Sequence, residues 1–128
     1  MIKKILITGA AGLCGSVVSD GLSKLGYKIT SCDIKKDPSP AAKAINVPLS
    51  KNIKKIDLRN INKVLKITRN MDAVIHFGGI PRHKPREDIF KNIIDHNIIG
   101  TYNVFEACRI NKVKRIIFAS SAHIMGYH

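Results

Sequence analysis

No tryptophan occurs among these 128 residues, and there are only three tyrosines and four phenylalanines. With so few rings for bases to stack on, the formal charge of +13 does not by itself make a nucleic-acid surface. The lysines are also dispersed: Lys3-Lys4, Lys35-Lys36 and Lys54-Lys55 stand at the edges of expected elements, where solvated side chains belong. No nucleic-acid partner is therefore expected, and the rival reading would show itself as salt-dependent retention on DNA or RNA. Cysteine is sparse too. Cys14, Cys32 and Cys108 are odd in number and lack metal-ligand spacing, so no metal site is expected and a reduced, cytoplasmic setting suits them best. Long apolar runs are missing, since none approaches the roughly 20 residues a spanning helix requires. The start, MIKKILITGAAG, has neither the apolar stretch nor the small-residue cleavage site of a signal peptide. No membrane partner is expected, and a homo-oligomer is left open.

What is present is an alternation. IKKILIT (2–8) reads as a strand, and GLCGSVVSDGLSKL (12–25) places apolar residues at 13, 14, 17, 18, 22 and 25 on one helical face. Gly26 is placed to end that helix in a left-handed conformation. YKITSCD (27–33) is a second strand. Residues 37–52 contain Pro38, Pro40 and Pro48 and read as an irregular excursion. A short strand is expected at 53–56, a helix near 60–69, a strand at 71–77 (MDAVIHF), a long helix at 87–110 and a strand at 114–120 (KRIIFAS). Strands without polar alternation are buried on both faces, which requires a parallel sheet with helices on each side. The order predicts one α/β domain over 1–128, a Rossmann-like doubly wound sheet of about five strands in order 3-2-1-4-5.

The stretch ILITGAAGLCGSVV carries Gly9, Gly12 and Gly15 from the first strand into the first helix. In that setting Gly9 permits a tight turn, Gly12 lets a diphosphate approach the backbone, and Gly15 lets the helix pack on the sheet. First-turn amides and the helix dipole would then hold the phosphates. Cys14 reads either as a low-pKa thiol at a helix N-terminus or as a small packing residue under the cofactor. Asp33 closes the second strand, where a carboxylate accepts hydrogen bonds from ribose hydroxyls and repels a 2′-phosphate. NAD is the expected cofactor, although Lys35 and Lys36 are cations close enough to tolerate NADP.

With TGAAGLCG (8–15) joined to DL (57–58), HFGG (76–79), NIIGTYNVFEACR (97–109) and FASSAHIMGY (118–127), the chain resembles the extended short-chain dehydrogenase/reductases of the NAD-dependent epimerase/dehydratase group. The motifs span the whole chain. Within that group the chain looks most like the uronate dehydrogenases, which oxidise hexuronic acids at C1. It departs from them at Ala122 and Pro81, where those enzymes often carry Asn and Ser. The resemblance implies that Gly9, Gly12, Leu13, Gly15 and Asp33 hold NAD, that Asp57 and the Leu58 amide hold the adenine, and that Phe77, Gly78 and Gly79 close the strand beneath the cofactor. Ser121 aligns with the catalytic serine, whose hydroxyl bonds the substrate oxygen, and His123 is a candidate substrate contact.

Other polar residues can be weighed without the resemblance. Asn97 falls in an apolar stripe (Phe90, Ile93, Ile94, Thr101, Val104, Phe105, Cys108), so its amide must be hydrogen-bonded. Either it binds a neighbouring backbone or it joins a proton relay at the cofactor. His76 reads as a packed, hydrogen-bonded residue. Arg82, His83, Lys84 and Arg86 form a basic loop that either meets a substrate carboxylate or is solvated surface.

The family's acid–base chemistry needs a tyrosine with a lysine four residues later, and no YxxxK occurs here. Tyr27 and Tyr102 lie in the wrong elements, and Tyr127 has no lysine behind it. The chain is therefore expected to be the NAD-binding portion of a sugar oxidoreductase, without its catalytic helix and substrate region, and inactive alone. Two alternatives stay open: a nucleotide-sugar epimerase or dehydratase with the same cofactor motifs, and a non-catalytic dinucleotide-binding module.

Overall fold

Residues 1–50, 52–80 and 89–121 are described by the structure, a computed structural model. Five parallel strands, β1 (Lys4–Thr8), β2 (Lys28–Asp33), β3 (Lys54–Lys55), β4 (Ala73–His76) and β5 (Arg115–Phe118), form one sheet in the order β3-β2-β1-β4-β5. This is the expected doubly wound arrangement. Successive residues of β1 explain why both sheet faces are covered. Leu6 packs with Val64, Ile67, Val104, Ala107 and Cys108, from α3 (Ile61–Thr68) and α5 (Gly100–Ile110). Ile5 and Ile7 point the other way, into a cluster that meets Val18 and Leu22 of α1 (Leu13–Lys24). Side-chain alternation along a strand thus buries apolar residues on both faces, as a helix-covered parallel sheet requires.

The helix ends follow local chemistry. Gly26, at φ +86°, lets its own N–H and that of Tyr27 return to the carbonyls of Ser23 and Leu22, at 3.0 and 3.1 Å. That pairing closes α1 as a Schellman motif. Asn60 opens α3 by accepting the Lys63 N–H on its side chain at 3.1 Å. At the other end of α3, the Asn111 amide donates to the Leu65 carbonyl and the Thr68 hydroxyl.

Three expectations are corrected. The excursion over 37–52 contains a short helix, α2 (Pro40–Ala44). Ser39 caps it and Pro40 starts it, so the proline that looked like a breaker acts as a helix opener. The long helix is α4 (Ile89–Ile93), a π-helical turn (Ile94–Ile99) and then α5. Of the expected stripe, Phe90, Ile94 and Phe105 are exposed while Val104 and Cys108 are buried. Finally, β5 is not buried on both faces: Ile117 and Phe118 are half-exposed, and among the described residues no strand pairs with its outer edge. Among the described residues, no helix is long and apolar enough to cross a membrane.

The chain leaves β1 for β2 on one side and β4 for β5 on the other. The crevice between the C-terminal ends of β1 and β4 is the topological switch point, where such sheets bind ligands.

Candidate functional site

The turn after β1 is made by glycines that nothing else can replace. Gly9 sits at φ +68°, and a Cβ there would lie 2.7 Å from the Phe77 carbonyl carbon and 2.8 Å from the Gly78 nitrogen. A Cβ on Gly15 would overlap the Gly9 carbonyl and come within 2.8 Å of Ala10 Cα. Gly9 therefore joins β1 to the end of β4, and Gly15 lets α1 start directly on that turn.

Gly12 is the N-cap of α1. It has no side chain to cap the helix, and the first turn contains no acidic residue. The positive end of α1 thus has neither a capping acceptor nor a carboxylate from its own first turn, which suits an external anion. Leu13 and Cys14, on that first turn, are exposed.

Asp33 lies across the same mouth. Its carboxylate accepts the Ala11 N–H at 3.0 Å and the Lys35 N–H at 3.1 Å, which fixes it beside the glycine turn. Asp57, in the loop after β3, is differently engaged. Arg59 grips it with Nη2 at 2.6 Å and Nε at 3.0 Å, and this pairing holds its carboxyl down at about 2. Leu58 packs beneath the crevice: its Cδ1 lies 2.6 Å from where a Gly78 Cβ would sit. Its carbonyl and that of Arg59 accept from the Asn103 amide at 2.9 and 3.0 Å. Asn103 is a buried residue that the sequence did not single out. An amide two residues beyond Thr101, inside the NIIGTYNVFEA helix, was the signal available.

After β4, Phe77 packs into the apolar cluster on the α1 side. The Gly78 N–H donates to Thr8 Oγ1 at 3.1 Å, and a Cβ on Gly79 would lie 3.1 Å from Asn97 Oδ1. Asn97 holds both polar groups of Ile80, accepting its N–H at 2.7 Å and donating to its carbonyl at 3.1 Å. Asn97 stands in the π-helical turn, and the backbone its amide bonds is that of Ile80, beyond the end of β4. His76 is buried between Thr8 and Thr101, at 2.6 and 2.9 Å, and its ring stacks on Phe118 with centroids 5.7 Å apart. Burial pushes its imidazole down to about 4, so it is neutral near pH 7.

Ser121 follows β5 by three residues and is exposed, while the Ala119 N–H continues the β4–β5 pairing to the His76 carbonyl. His123, with Ala122, Pro81, Tyr127 and the basic residues Arg82, His83, Lys84 and Arg86, lies outside the described residues. Burial raises the Cys32 and Cys108 thiols to about 12 and about 11, which keeps both protonated near neutral pH. Among the described residues no cluster of His, Cys, Asp and Glu could hold a metal. Close approaches thus link Gly9 to Gly12 and Gly15, and Gly9 and Leu58 to Gly78, while Asp33 bonds the glycine turn and Asn97 faces Gly79 and Ile80.

Residues 5–128 match the model of the NAD dependent epimerase/dehydratase family. The uronate dehydrogenase of Pseudomonas putida is 37% identical over 126 residues, covering 98% of this chain and 43% of its own length. A crystal structure of the uronate dehydrogenase from Agrobacterium tumefaciens, a mutant complexed with NAD, superposes with a TM-score of 0.79 at 34% identity. That match covers 100% of this chain and 44% of the other. The UDP-glucose 4-epimerase of Pisum sativum is 29% identical and covers 97% of this chain and 38% of its own. The chain therefore spans about two fifths of the length of these relatives.

Proposed function

The chain belongs to the NAD dependent epimerase/dehydratase family, and from that premise we propose that residues 1–128 form the NAD-binding portion of a sugar oxidoreductase of the uronate dehydrogenase type. The observation that carries this reading is the uncapped N-terminus of α1 at Gly12, set beside an Asp33 carboxylate that the Ala11 amide holds in place. An anion on the first and sugar hydroxyls on the second are the diphosphate and the adjoining ribose of an adenosine diphosphate. When bound, NAD supplies the acceptor for hydride, which in this reading comes from C1 of a hexuronic acid.

The chain's own residues then bind and orient. Gly9, Gly12, Leu13 and Gly15 cradle the diphosphate. Asp33 accepts from the ribose hydroxyls and repels a 2′-phosphate, which favours NAD over NADP. Asp57 and the Leu58 amide face the adenine, with Arg59 sharing the Asp57 carboxylate. Phe77, Gly78 and Gly79 form the floor, which Asn97 holds through Ile80. Ser121 donates to the substrate oxygen that gains or loses a proton, and His123 contacts the sugar. These residues are proposed to bind the dinucleotide and to place Ser121 at the substrate. Free Cys32 and Cys108 suit a reducing, cytoplasmic setting.

A second reading, an epimerase or dehydratase acting on a nucleotide-sugar, draws on the 29% identity to the pea epimerase. It shares every dinucleotide contact named above and differs in the sugar held near Ser121.

Calorimetry tests the dinucleotide reading. NAD should bind the folded chain about 10–100-fold more tightly than NADP, and Asp33→Ser should remove most of that preference, since hydrogen bonds to a charged group are worth about 1.5–3 kcal/mol. Equal affinity for NAD and NADP in the unaltered chain would contradict the role of Asp33.

A further inference from the structure

We infer that His76 is a positioning residue for the dinucleotide site: its unprotonated Nδ1 orients the Thr8 hydroxyl, and that hydroxyl sets the Gly78 amide beneath the cofactor. The inference rests on the dinucleotide reading above and adds a residue that none of the cofactor motifs assigns to binding.

The donor inventory fixes the direction at Gly78, and the inference assigns the directions at the two ring nitrogens. A backbone N–H can only donate, so at Gly78 the Thr8 Oγ1 accepts, at 3.1 Å. In the inferred arrangement the single hydroxyl proton of Thr8 goes to His76 Nδ1, 2.6 Å away. That makes Nδ1 an acceptor and leaves the ring proton on Nε2, which donates to Thr101 Oγ1 at 2.9 Å. The opposite tautomer would use both lone pairs of Oγ1 for N–H donors and send the hydroxyl proton away from Nδ1, its partner in the inferred arrangement.

The relay ends on the part of the site with least freedom. A Cβ at Gly78 would meet Leu58 Cδ1 at 2.6 Å and Thr8 Oγ1 at 3.1 Å, and the Phe77–Gly78 peptide is the surface that excludes a Cβ from Gly9. A Gly78 amide that turned away from Thr8 would press on the Gly9 turn, and the glycine cradle would lose its shape. On the opposite side the His76 ring stacks on Phe118, three residues before Ser121. One buried imidazole therefore braces β1, β4, β5 and α5 where the dinucleotide would lie.

The two ring nitrogens can be tested separately in the folded 128-residue chain. His76→Asn keeps an acceptor near Nδ1, and Thr8→Ser keeps the hydroxyl. His76→Gln moves the polar group toward Nε2, and Thr8→Val removes the hydroxyl at constant shape. Nitrogen-15 spectra of the unaltered chain should show Nδ1 unprotonated. Gly78 amide exchange should quicken about tenfold in Thr8→Val and His76→Gln, the equivalent of one hydrogen bond, and NAD affinity should fall by a similar factor. His76→Asn and Thr8→Ser should recover most of both. A protonated Nδ1, unchanged Gly78 exchange in Thr8→Val, or equal NAD affinity in His76→Asn and His76→Gln would each overturn the inference. Failure of the unaltered chain to bind NAD would instead sink the dinucleotide reading, with the exchange measurements still deciding whether His76 sets the Gly78 amide.

Discussion

One methyl group is enough to disturb the turn between β1 and α1. Gly9→Ala would add a Cβ 2.7 Å from the Phe77 backbone at a left-handed φ, so a loss of at least about 2 kcal/mol is expected in urea unfolding. Gly21→Ala is the control. That glycine lies on the exposed face of α1 with nothing within 4 Å of a new Cβ, and the change should stabilise by about 0.5–1 kcal/mol. His76 adds a pH dependence at the same scale. Its imidazole is at about 4 when folded and near 6.5 when free, so between those values the unfolded chain binds more protons. Its contribution is complete above about pH 6.5 and is lost as pH falls toward 4, a span worth about 3 kcal/mol. The difference in urea stability between pH 7 and pH 4.5 should therefore shrink in His76→Asn relative to the unaltered chain. An unchanged difference would mean that His76 titrates normally.

Among the elements, the π-helical turn has the clearest consequence. It brings the Asn97 amide to Ile80, where one side chain satisfies a donor and an acceptor together. Asn97→Leu should cost about 1–3 kcal/mol by leaving both Ile80 groups unpaired. Asn97→Asp should also destabilise, because a carboxylate cannot donate to the Ile80 carbonyl; thermal melts of the two variants check this. The strands, α1 and the strand order were legible because unbroken apolar runs and a glycine-punctuated turn have few other solutions. The π-helical turn was not legible, since its six residues carry no glycine or proline and continue the apolar spacing of an ordinary helix. Nor was α2, where Ser39-Pro40 resembles a loop until the cap is seen. The Arg59 grip on Asp57 depends on a loop bend that the sequence does not announce. Asn103 and Asn97 look alike in sequence, and only the packing of Leu58 reveals that Asn103 ties α5 to the loop after β3.

At the scale of the molecule, a lysine-rich surface coexists with exposed Ile98, Tyr102, Ile117 and Phe118. Half-exposed residues on a strand whose outer edge is unpaired among the described residues favour self-association. Sedimentation should show concentration-dependent association that Ile117→Lys reduces without loss of fold; a chain that stays monomeric at all concentrations would show that charge alone protects this surface. The central claim concerns the crevice itself, and titrating NAD into nitrogen-15-labelled protein tests it most directly. The amide signals of Gly9, Ala11, Gly12 and Gly15 should move together and saturate, while those of distant Lys24 and Arg109 stay still. Saturable NAD binding with the four crevice amides unmoved would contradict the account.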